Sequence, residues 1–377
     1  ALVGHSAWPS VVLGSASDPF MSKEEREWGA DCGVGATALW IAYIRDREKS
    51  REKPAFDDDY ATRFLRDGKG KEVAEAMARA LFHSMFMNAS GDDMHASLTL
   101  KYALPMFGRW HMQHMQHERV PQELVEQAAL ENPLAKGVRI RTVYFDERIR
   151  KAFASGSTKQ FVTLACGVDC RCLRLECLQR GVATWLVDQP AVISSFRKCL
   201  PELEKRPDIS TVAVKFGEEL WWEKLLAHGF DPSLPSVFLI EGLVMYLSKA
   251  ENEEIFRRVH SLMAPGSILL GDYVNRGFLD HPMVEPFVDE LRKYNAPWNY
   301  GARSSATWGR MLSRCGFEVR EDRPSVELKT CAMRIKFLLI DYIGTWVPSY
   351  RVYSAVKKRS STEQERPKGE GSPAAAA

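Results

Sequence analysis

The chain is 377 residues long, with 45% hydrophobic and 27% charged side chains, a balance that supports a large core and excludes whole-chain disorder. Its 51 basic and 49 acidic residues are interspersed and leave a formal charge of +2, so there is no electrostatic footprint for a nucleic acid. No apolar run reaches the length of about 18 residues that a membrane-spanning helix needs.

Residues 1–32 read as an N-terminal extension. A helix follows over Val34–Arg47, with Ala38, Leu39, Ile41, Ala42 and Ile44 as its apolar face, and Pro54 closes the charged run behind it. Phe56-Asp57-Asp58-Asp59-Tyr60 suits a loop entering a helix, where carboxylates favour the positive end of the dipole. Residues 33–155 form a helical cap, with an Ala-, Met- and Leu-rich insertion near 70–130. His111, His114 and His117 inside it lack a fourth ligand and read as solvated or packing side chains.

From residue 156 the texture changes to short apolar runs separated by amphipathic stretches. Strands are expected at 161–166, 182–187, 211–216, 236–241 and 267–274, with helices such as 171–180 and 248–263 between them. A further strand at 317–321, and a last one at either 335–342 or 350–356, complete a seven-stranded sheet as an antiparallel hairpin. The alternation implies an α/β, doubly wound, mostly parallel sheet spanning 156–356. The polar residues 357–377 are expected to be a disordered tail.

Eight cysteines are scattered without paired CxxC spacings. This pattern predicts reduced thiols in a cytoplasmic setting and no metal site.

In a parallel sheet, ligands sit beyond the carboxyl ends of the strands. The first strand ends in Ala165-Cys166-Gly167, and the second in Asp188-Gln189-Pro190. Asp188 follows Gly167 by 21 positions, near the spacing of about 20 at which an acid accepts hydrogen bonds from a ribose. A dinucleotide fingerprint needs further glycines where Ala165 and Cys170 stand, so a bound pyrophosphate is disfavoured. S-adenosylmethionine has no phosphate and needs a cation and acceptors instead, which makes it the candidate cofactor; the other reading of these residues alone is an ordinary βα turn with a helix-capping aspartate. The fourth strand runs into Glu241, a carboxylate at a buried strand tip, which needs a partner.

Six further segments complete the pattern: Gly35-Ala36-Thr37-Ala38-Leu39, Phe56 to Ala61, Arg141-Thr142-Val143-Tyr144-Phe145-Asp146, Val187-Asp188-Gln189-Pro190, Glu241 to Leu247 and Ala264-Pro265-Gly266-Ser267. Together with the first strand loop they make the sequence resemble the leucine carboxyl methyltransferase family over roughly 33–320, in particular its broad branch of O-methyltransferases of small or unknown substrates. The resemblance implies a Rossmann-like methyltransferase sheet with an N-terminal cap. It also implies that Arg141 pairs the methionyl carboxylate, that Ala165, Cys166 and Gly167 line the amino-acid part, that Asp188 with Gln189 holds the ribose, and that Glu241 lies near the methionyl amine. Where the family has an Asp-Leu pair for the adenine, this chain has Lys215-Phe216. Phe216 is expected to stack on the base, while Lys215 cannot accept its hydrogen bond.

In-line methyl transfer to a carboxylate or hydroxyl of a small molecule or protein is the expected reaction, and no catalytic base is assigned between His281 and Tyr246. The segment 278–310, with Trp298, Tyr300 and Trp308, is placed either as a lid over the acceptor or as core. The rival expectation is a protein that keeps the fold but not catalysis, motivated by Ala165 and Lys215.

Overall fold

The computed structural model describes residues 34–66, 68–87, 130, 133–179, 181–280, 284–324 and 350–357. The insertion histidines, His281, the alternative last strand at 335–342 and the tail beyond 357 lie outside these residues.

Seven strands form one sheet: β1 (Gln160–Leu164), β2 (Ala183–Asp188), β3 (Ile209–Ala213), β4 (Ser236–Ile240), β5 (Ile268–Val274), β6 (Phe317–Pro324) and β7 (Tyr350–Lys357). Their spatial order is β3-β2-β1-β4-β5-β7-β6. The first five strands pair in parallel, whereas β7 runs antiparallel to both β5 and β6. The last strand is therefore 350–357. The strand order reverses between β1 and β4, which puts a crevice at their carboxyl ends.

Side chains alternate across each strand, and both faces are covered. On one face Val162, Leu164, Phe238 and Ile240 pack with Trp221, Phe256, Trp308 and Leu312. On the other, Phe161, Val237 and Leu239 meet Phe145, Ile149 and Phe153. Burial on both faces explains why these strands read as continuous apolar runs.

Among the described residues, three α-helices precede the sheet: α1 (Val34–Glu48), α2 (Lys69–Met87) and α3 (Pro133–Ala154). The C-terminal half of α3 supplies Phe145, Ile149 and Phe153 to the sheet face. Its N-terminal half supplies Leu134 and Val138 to a cluster with Trp40, Met245, Phe287 and Trp298, which sits over the crevice.

The connections carry α4 (Arg171–Arg174), α5 (Pro190–Cys199), α6 (Trp221–Ala227), α7 (Lys249–Leu262), α8 (Arg276–Leu279), α9 (Glu285–Lys293) and α10 (Ser305–Arg314). Helix α7 begins at a capping box, in which Ser248 accepts from the Glu251 N–H and Glu251 accepts from the Ser248 N–H. Pro190, fixed in φ and needing no partner for a missing N–H, opens α5 immediately beyond the β2 tip. Among the described residues no helix is long and apolar enough to cross a membrane.

Two local features differ from expectation. The third strand ends at Ala213 and not at 216, because its ladder with β2 runs from Ile209↔Thr184 to Ala213↔Asp188. Lys215 and Phe216 therefore lie beyond the pairing. Helix 171–180 is broken into α4 and a separate 3-10 turn over Glu176–Leu178.

Candidate cofactor and acceptor site

A cleft opens at the carboxyl ends of β1, β2 and β4 and is roofed by α1 and α3; Arg141, Ala165, Cys166, Gly167, Asp188, Gln189 and Glu241 all line it. Phe216 does not. It packs, half-buried, at the edge of the cluster around Val214 and Trp221, and its backbone bridges to Glu219. The shorter β3 explains the difference, since the chain has already left the sheet before reaching Phe216.

The β1 loop is shaped by backbone conformation. Ala165 and Gly167 both take left-handed φ, at 53° and 54°. For Ala165 this costs about 1 kcal/mol or more that a glycine would not incur. At Gly167 the reason for glycine is also spatial, because a Cβ there would meet the Ala38 Cβ of α1 at 3.3 Å. The roof helix thus rests directly on the loop.

Asp188 is fixed by that loop. Its Oδ2 accepts from the Gly167 N–H at 2.7 Å and its Oδ1 from the Gln189 N–H at 2.7 Å. Burial nevertheless pushes the carboxyl up to about 6, because the two backbone donors only partly offset desolvation.

Arg141, on α3, is 5% exposed. Its Nη1 donates to Asp272 Oδ2 at 2.9 Å and to the Tyr350 hydroxyl, and the Tyr350 hydroxyl donates to the same carboxylate oxygen. Asp272 Oδ1 accepts from the Gly242 N–H at 2.7 Å. Arg141 Nε lies 2.8 Å from Glu241 Oε1 as an ion pair, without the alignment of a hydrogen bond. Nη2 makes no hydrogen bond to any described residue.

Glu241 meets three arginines. Arg171 Nη1 donates to its Oε2 at 2.5 Å, and Arg45 Nη2 approaches Oε1 at 3.3 Å beside Arg141. Burial works against its ionised form, but Arg171, then Arg141 and Arg45, hold the carboxyl well below its usual range. The same ionic network takes in Asp169 and Asp146 through Arg171, and Asp146 through Arg174.

The sequence-predicted Arg141, Asp188 and Glu241 lie together at the cleft, and the structure adds Arg45, Arg171, Asp272 and Tyr350, which contact them and which sequence reasoning did not single out. Asp272 carried a usable signal. It is a carboxylate in the middle of the buried strand ILLGDYV, where an unpaired charge is too costly to keep.

The far end of the cleft is apolar, walled by Trp40, Ile41, Leu134, Val138, Met245, Tyr246 and Trp298. Trp298 thus lines the apolar part of the cleft, whereas Trp308 is core, fully buried and stacked on Tyr273 at 4.4 Å. The Tyr246 hydroxyl donates to Thr37 Oγ1 at 3.2 Å, and burial raises its pKa above the usual phenol value, so it stays a neutral phenol at ordinary pH.

The model of the leucine carboxyl methyltransferase family matches residues 38–260. The chain belongs to that family. A protein from Mycolicibacterium paratuberculosis is 28% identical over 270 residues, covering 71% of this chain and 74% of its own. Another from Saccharopolyspora erythraea is 30% identical over 249 residues, covering 66% of this chain and 69% of its own. Both carry the name "Putative S-adenosyl-L-methionine-dependent methyltransferase". Among solved structures, a DUF574 family protein from Streptomyces avermitilis superposes with a TM-score of 0.53 at 14% identity, over 87% of this chain and 99% of that one. It shows the shared fold alone.

This member of the leucine carboxyl methyltransferase family is an S-adenosylmethionine-dependent methyltransferase with a Rossmann-like, mostly parallel sheet. The cleft suits that cofactor on its own chemistry. Its lining carries a guanidinium nitrogen without a hydrogen-bond partner among the described residues, a buried strand-tip acid and no glycine-rich phosphate cradle.

Proposed function

We propose that this methyltransferase transfers the methyl group to an oxygen nucleophile, a carboxylate or an acidic hydroxyl, of an acceptor whose body lies in the apolar end of the cleft. The observation that carries this reading is the absence of a free proton acceptor among the described cleft residues. The lining has no histidine or lysine, its carboxylates are held in hydrogen bonds or ion pairs, and Tyr246 is a neutral phenol. An oxygen that is already anionic at neutral pH needs no base, whereas an alcohol would need one within hydrogen-bond reach.

In this reading Arg141 Nη2 takes the methionyl carboxylate as a charge-assisted bond. Asp188 accepts from the ribose hydroxyls, and Glu241 faces the amine. The backbone of Ala165, Cys166 and Gly167, with Gln189, lines the amino-acid and ribose parts. When bound, the cofactor supplies an electrophilic methyl on a sulfonium. The chain aligns acceptor and methyl, and the walls around Trp40, Met245 and Trp298 exclude water.

The test is to incubate the protein with methyl-labelled cofactor and a cell extract, then treat the labelled product with mild base. A carboxyl methyl ester releases its label as volatile methanol, an aryl methyl ether keeps it, and each is compatible with transfer to oxygen. Label found on nitrogen or carbon would contradict the reading. Cofactor binding without any transfer would favour the alternative that Ala165 and Lys215 motivate, a binding protein on a methyltransferase fold.

A further inference from the structure

Arg171 is 0% exposed and does not line the cleft, yet it touches three elements that build it. Its Nη1 donates to Glu241 Oε2 at 2.5 Å at the β4 tip and to Asp169 Oδ2 at 2.9 Å in the β1 loop. Its Nε donates to Asp146 Oδ1 at 2.7 Å on α3, the helix that also carries Arg141. The Arg171 backbone N–H donates to Asp169 Oδ1 at 3.0 Å, which locks the start of α4 to the same carboxylate. A planar guanidinium held from these directions has little freedom left, and a lysine cannot reproduce the fork.

The Arg171 bond to Glu241 Oε2 is the shortest of the three arginine contacts: Arg141 Nε lies 2.8 Å from Oε1, and Arg45 Nη2 bridges the two oxygens at 3.3 Å from Oε1 and 3.5 Å from Oε2. Without Arg171, no other described residue on the α4 side holds the carboxylate against rotation towards Arg45 and Arg141. We infer that Arg171 is a positioning residue that fixes the Glu241 carboxylate in the orientation that meets the cofactor's ammonium group. This rests on the reading of Glu241 given above.

The alternative is a buried ion pair that only supports the fold. Two ligands separate these roles: S-adenosylmethionine, and methylthioadenosine, which keeps the adenosine but lacks the ammonium and carboxylate. In calorimetric titrations Arg171→Met is expected to weaken S-adenosylmethionine about tenfold or more, and methylthioadenosine by less than about twofold. In a cycle with Glu241→Gln, the double variant is expected to bind S-adenosylmethionine about as weakly as Glu241→Gln alone, because Arg171 acts through that carboxylate.

Arg171→Lys keeps the charge and is expected to show a smaller loss with the same ligand selectivity. It serves in the same titrations should Arg171→Met fail to fold. Equal losses for both ligands, additive losses in the cycle, or no loss at all would overturn the inference. If Glu241→Gln itself leaves affinity unchanged, the fault lies with the reading of Glu241, and the assignment to Arg171 falls with it.

Discussion

Arg141→Met is expected to weaken S-adenosylmethionine by about 10- to 100-fold, the worth of a charge-assisted hydrogen bond, and to destabilise the fold by about 3–5 kcal/mol. Both effects follow from the same geometry. The Nη2 arm is lost to the ligand, while Asp272, 0% exposed, loses the cation 2.9 Å from its Oδ2, and Glu241 loses one of three. A second substitution separates the two effects. Adding Asp272→Asn removes the orphaned charge and should recover much of the stability in a denaturant titration. It should recover none of the affinity in calorimetry. Recovery of both would mean that Arg141 serves the fold and not the ligand.

Asp188→Asn is expected to cost about 10- to 100-fold in affinity near pH 7.5 and to change the pH profile. An asparagine offers one oxygen where the carboxylate accepts from both Gly167 and Gln189, so one donor or the ribose goes unserved. The pH argument has a definite sign. The carboxyl of the free protein titrates at about 6, raised from 3.8. Ribose hydroxyls donate to the ionised form, so binding is tightest above pH 6 and weakens as pH falls through 6, by up to about tenfold per unit.

The folded chain, conversely, holds this proton more tightly than the unfolded chain does. That group therefore costs the unliganded protein stability above pH 6, at most about 3 kcal/mol, and the cost is relieved as pH falls from 6 towards 4. The asparagine variant should show neither slope. Calorimetry at pH 5.5, 6.5 and 7.5 checks this; a wild-type affinity unchanged across that range would contradict the role of Asp188.

Much of this site was legible before the structure because strand tips are legible. Buried parallel strands read as short apolar runs, and the first polar residue after each run falls at the crevice. Gly167, Asp188 and Glu241 do line the cleft at the strand ends. Phe216 lies outside the cleft lining, because the apolar texture of Thr211 to Phe216 continues beyond the last paired residue, Ala213, and nothing local marks where a ladder stops.

The partners of Arg141 were hidden for a different reason. Tyr350 lies 209 positions from it and Asp272 lies 131, and pairing over such separations leaves no periodic trace. Arg171 was hidden in plain view. Its neighbours suggested an ordinary helix start, while its three carboxylate partners come from β4, the β1 loop and α3.

The central claim is that one cleft holds one phosphate-free adenosine ligand through Arg141, Asp188 and Glu241 together. A crystal structure with S-adenosylhomocysteine tests it most directly. The account predicts the ligand carboxylate on Arg141 Nη2, the ribose hydroxyls on Asp188 and the amine beside Glu241. Density for the ligand elsewhere, or in this cleft with its amino-acid end away from Arg141 and Glu241, would contradict it.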